Sequence, residues 1–130
     1  MPISRGRLQS ALILVVEDIE EVRDSIETLL LADGYVVASA RNEEDAVLRA
    51  CQRRPDLILM SLGDVTSEAI AAAMRIRNRA GLSDIIPIVI FCCPIIAEGT
   101  TVEREGNVYL TRPDNFNQLR ECLHKLVSSK

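Results

Sequence analysis

Four apolar runs of this 130-residue chain end on residues able to do chemistry. Residues 11–16 stop at Glu17-Asp18, residues 56–60 at Ser61, residues 86–91 at Cys92-Cys93, and the last run leads into Thr111-Arg112-Pro113. A hydroxyl such as that of Ser61 attacks an electrophile only with a positioned base. The single histidine, His124, belongs to the last helical pattern, far from these ends. Adjacent Cys92 and Cys93 suggest a redox or small-ligand site, and a nearby cation such as Arg112 would stabilise a thiolate there. The apolar Ile90-Phe91 before them argues instead for buried, reduced thiols. The four cysteines (Cys51, Cys92, Cys93, Cys122) lack CxxC or Cys/His spacing, so zinc is not expected. Asp64, three residues beyond Ser61, reads as a solvated loop acid.

The elements that must position these residues follow from periodicity. Five apolar runs, 11–16, 35–40, 56–60, 86–91 and 107–110, alternate with helical patterns. The first, third and fourth runs are continuous, as expected of parallel strands covered on both faces. Helical stripes are carried by Val22, Ile26, Leu29 and Leu30, by Ala46, Val47, Ala50 and Cys51, and by Ile70, Ala73, Met74 and Arg77. A last helix begins near Asp114 and buries Phe116, Leu119, Leu123, Leu126 and Val127. Asn42 before three acids is a helix start, and Gly34 and Gly81 are helix stops. Residues 94–106 fill the slot of a fourth helix, yet Pro94, Gly99, Thr100 and Thr101 predict a short or irregular one. The alternation predicts a (βα)5 doubly wound parallel sheet with right-handed crossovers. In such sheets ligands bind at the carboxyl ends of the strands, where the four polar ends converge.

Composition narrows the function. Residues 11–130 make one domain after a short tail, residues 1–10, whose Arg5 and Arg7 read as solvated. A formal net charge of -4 argues against nucleic acid as a partner. No apolar stretch reaches the ~20 residues of a membrane span, so a membrane role is not expected and a cytoplasmic location is.

Residues 11–128 resemble the receiver domain of two-component response regulators, in its small chemotaxis-regulator-like form. "ILVVEDIEEVR" (13–23), "PDLILMSL" (55–62), "IPIVIF" (86–91) and "YLTRP" (109–113) stand in that family's order and at nearly its spacing. The resemblance implies a flavodoxin-like fold with strand order 2-1-3-4-5. It implies that Glu17 and Asp18 are the acidic pair that holds Mg²⁺, since a hard dication prefers anionic oxygens. Gly63 matches the position whose carbonyl is a further ligand. Tyr109 matches an aromatic that moves between exposed and buried states, and Pro113 a proline after a cis peptide.

Three positions depart from the family. Ser61 replaces the aspartate that accepts phosphate, Cys92 replaces the hydroxyl residue that binds the phosphoryl group, and Arg112 replaces the lysine that pairs with it. Aspartyl phosphorylation is therefore impossible at Ser61. Mg²⁺ should bind weakly or not at all, because a third carboxylate contact worth even ~3 kcal/mol is more than a hundredfold in affinity. The acidic pair then faces Arg112 alone, and Arg112 is expected to turn inward and pair with Glu17 or Asp18 in place of the metal. The expected function is that of a non-enzymatic pseudo-receiver in phosphorelay signalling, binding a histidine kinase or a downstream signalling protein without phosphorylation. Its partner face would include Tyr109, residues 94–106 and the last helix. The alternatives are the Cys92-Cys93 redox or ligand module and a receiver phosphorylated at an unusual residue.

Overall fold

A computed structural model describes residues 11–63, 65–91 and 95–128. β1 (Leu12–Glu17), α1 (Glu20–Ala32), β2 (Val36–Ala40), α2 (Glu43–Gln52), β3 (Leu57–Ser61), α3 (Thr66–Arg79) and β4 (Ile88–Phe91) follow the expected alternation. The remainder is β5 (Thr100–Arg104), β6 (Val108–Arg112) and α4 (Phe116–Ser128). The strand order is β2-β1-β3-β4-β6-β5. Its first five members are parallel, which is the 2-1-3-4-5 winding read from the sequence.

Burial on both faces explains why β1, β3 and β4 are apolar up to their carboxyl ends. In β1, Leu14 and Val16 point to a layer containing Ala46 and Ala50 of α2 and Ala69, Ala73 and Ile76 of α3. Ile13 and Val15 point to the opposite layer, with Ile26 and Leu30 of α1 and Leu119, Leu123 and Val127 of α4. Each fully buried Leu or Ile contributes roughly 1.5–3 kcal/mol. α2 starts where Asn42 accepts the Asp45 N–H at 2.8 Å. α4 starts two residues later than expected, where Asn115 accepts the Gln118 N–H at 3.1 Å. Val22 and Leu29 of α1 and Cys51 of α2, expected on buried stripes, are exposed, because these helices press only two residues each into the core.

The region expected to hold a fourth helix is the main departure. Residues 100–104 form an edge strand antiparallel to β6, running from Thr100↔Arg112 to Arg104↔Val108. Thr-Thr-Val favours strand over helix. Gly106 at φ 77° and Asn107 at φ 64° supply the left-handed turn that a short hairpin requires. A helix-period reading of this stretch passed over that Gly-Asn signal. Pro94 lies outside the described residues.

Candidate functional site

The carboxyl ends of β1, β3 and β6 form one edge of the sheet. Glu17 is the Cα partner of Ser61 on the adjoining strand, so their backbones lie about 4.8 Å apart. Glu17 is 3% exposed, Asp18 beyond it is exposed, and Ser61 is half-buried. One carboxylate oxygen of Glu17 accepts the Ile19 N–H at 3.0 Å. Burial pushes the Glu17 carboxyl above the usual carboxylate range; the neighbouring Asp18 adds to this, and the Ile19 N–H opposes it. Gly63 sits at φ 71° with open space where a side chain would be.

Arg112 does not pair with the acids. Its Nη1 donates to the Ile96 carbonyl at 3.1 Å, while its own carbonyl accepts the Gly99 N–H. Among the described residues no ion pair joins it to Glu17 or Asp18. The expected inward pose is thus corrected: the backbone carbonyl of Ile96 takes the guanidinium in place of the acids. The Arg112–Pro113 peptide is not cis, because no described peptide bond is. A trans X–Pro bond is the lower-energy form by ~0.5–1 kcal/mol.

Arg23 is the cation that does approach the acidic end. From the first turns of α1 its Nη1 donates to the Glu17 backbone carbonyl at 2.8 Å. It belongs to the quoted stretch 13–23 but received no role from the sequence. Thr111, named at its strand end without a role of its own, is 2% exposed; its hydroxyl bonds that of Thr101 at 2.8 Å, tying β6 to β5. Tyr109 is half-buried against the α1/α4 layer, and burial raises its hydroxyl pKa, with the opposed Glu103 adding to the effect. Cys92, Cys93 and Asp64 lie outside the described residues.

A family model for the response regulator receiver domain matches residues 13–124. The chain belongs to the receiver domain family. The receiver is 30% identical over 113 residues to the KDP operon transcriptional regulatory protein KdpE of Escherichia coli, covering 85% of this chain and 48% of that protein. It is 32% identical over 127 residues to the transcriptional regulatory protein ZraR of Salmonella typhimurium, covering 95% of this chain and 27% of that protein. The chain therefore spans about half or less of these relatives' length. Its fold matches the receiver domain of the hybrid histidine kinase CckA (TM-score 0.67, 23% identity, 90% of this chain and 99% of that one). It also matches a solved complex of the histidine kinase ThkA with the response regulator TrrA (TM-score 0.68, 21% identity, 89% and 97%).

Receiver domains commonly bind Mg²⁺ at this edge, and the residues here do not fit it. Among the described residues no group of three or more His, Cys, Asp and Glu side chains could hold a metal ion. Glu17 is buried with an oxygen committed to the Ile19 N–H, and the third strand end offers a neutral hydroxyl.

Proposed function

We propose that this receiver signals through protein–protein contact without phosphoryl transfer. The observation that carries the reading is the Glu17↔Ser61 register, in which a hydroxyl residue stands at the end of β3 where the family has its acceptor aspartate. A seryl oxygen needs a base, and neither Glu17, turned to the Ile19 N–H, nor distant His124 supplies one to it. In this reading Ser61 and Arg112, with Cys92, are a degenerate phosphorylation site. Glu17, Asp18 and Gly63 are the remnant of an Mg²⁺ site with weak affinity. The domain is a non-enzymatic module working in the cytoplasm, with no nucleic-acid or membrane partner of its own. No helix among the described residues is long and apolar enough to cross a membrane.

The partner is a histidine kinase or a downstream signalling protein, a reading supported by the likeness to a regulator solved with its kinase. The face offered comprises Tyr109, the β5–β6 hairpin and the exposed side of α4, next to Pro113. Incubation with acetyl phosphate and millimolar Mg²⁺, followed by intact-mass measurement, tests the reading. No added mass is expected; an acid-stable or labile adduct of one phosphoryl group would overturn it.

A further inference from the structure

We propose that the outer edge of β5 pairs with β5 of a second copy, joining two six-stranded sheets into one across a two-fold axis. Four observations carry this. β5 ends the sheet, and all five of its residues are exposed. Every second residue of such a strand turns its N–H and C=O away from β6, a template for another strand along Thr101–Arg104, while the Thr100 N–H at its start donates to the Ala97 carbonyl. The β5–β6 register is unbroken, and neither a bulge nor a proline interrupts the strand. Val102, at its centre, is 38% exposed.

The occupant follows from symmetry and charge. An antiparallel pairing centred on Val102 sets Val102 opposite Val102, Thr101 opposite Glu103, and Thr100 opposite Arg104, with no like charges directly opposed. Centring on Glu103 would oppose two carboxylates, which disfavours that slip. Beside β5, a cleft of about 300 Å³ separates the strand from α4 and is rimmed by exposed Glu121 and Lys125. Pairing β5 with the other sheet edge, β2, would be heterologous and open-ended, whereas β5 with β5 closes at two copies.

A five-residue edge is smaller than a standard interface of ~1,600 Å², which places the dimer among weak, concentration-dependent associations. Sedimentation equilibrium on the full chain, from roughly 5 to 500 μM, is the test. Monomer–dimer behaviour is expected for the native chain and for Val102→Thr, which keeps the strand preference. Val102→Lys, which opposes two cations at the axis, is expected to raise Kd at least tenfold while leaving the circular dichroism spectrum unchanged. A native chain monomeric throughout, or a Val102→Lys chain that dimerises equally well, would overturn the proposal. So would concentration-independent amide exchange at residues 100–104 in a chain whose edge instead takes up a foreign extended peptide.

Discussion

The Arg112 guanidinium donates to the carbonyl of Ile96, 16 residues earlier in the chain, at 3.1 Å. The residue standing at the family's lysine position therefore fastens the β4–β5 connection instead of facing the acidic edge. The backbone bond from the Gly99 N–H to the Arg112 carbonyl closes the same clasp. Arginine suits this because its several fixed donors reach a carbonyl without needing an anion.

Arg112→Ala removes the side-chain half of the clasp. The expected cost is ~1.5–3 kcal/mol in global stability, the range for a hydrogen bond involving a charged group. Amide exchange should quicken at residues 96–100 before it does in β1 or β3. Uniform exchange across the sheet would contradict a local tether.

Ser61→Asp should create divalent-ion affinity by itself. It places a third carboxylate beside Glu17, and Arg112, held by Ile96, does not compete for the new charge. Mg²⁺ titration should shift the amides of residues 17, 18, 61 and 63 in the variant with at least tenfold higher affinity than in the native chain. Equal affinities would show that the edge lacks more than one ligand.

Arg77 anchors the other end of the hairpin. It is 6% exposed; Nη1 donates to the Gly106 carbonyl at 2.5 Å and Nη2 to the Ile86 carbonyl at 2.8 Å. Burial pulls its pKa down. Arg77→Ala strands two carbonyls, so a loss of about 2–4 kcal/mol is expected in urea unfolding. Gly106→Ala should cost ~1 kcal/mol or more. The residue is at φ 77°, and a methyl there meets Arg77 Nη1 and Met74 Cε at 3.3 Å.

The α2–α3 contact should respond to acid. Arg75 meets the Glu43 carboxylate through two bonds of 2.8 Å, and this pairing holds the Glu43 carboxyl below the usual range. A depressed pKa stabilises the fold above the unfolded-state value, and that share vanishes as pH falls through the folded value. Glu43→Gln should therefore cost ~0.2–1 kcal/mol at pH 7, the range for surface pairs, and progressively less as pH falls through the folded-state value. Thermal unfolding of both chains from pH 3 to 7 checks this.

The winding was legible because parallel strands buried on both faces leave unbroken apolar runs such as 11–16, a signal that tertiary context does not blur. The strand ends were legible for the same reason, since each run stops at its polar residue. The target of Arg112 was not legible. Charge balance favoured the acids, but the deciding partner is a backbone carbonyl at Ile96, invisible to any count of side-chain charges. The hairpin was missed because an expected helix slot outweighed Thr-Thr-Val and the Gly-Asn turn. Arg23 escaped notice because its partner is also a main-chain oxygen.

Replacing a helix by β5 changes how this flank can move. A packed helix can slide by an ångström or two and still keep its own hydrogen bonds. A strand zipped to β6 has no such continuous freedom, since side chains keep their faces only in steps of two residues, ~6.8 Å. Motion at residues 100–104 is then quantised: the ladder stays closed, or it unzips from an end. A message crossing this flank would travel as attachment or release, a digital rather than a graded output.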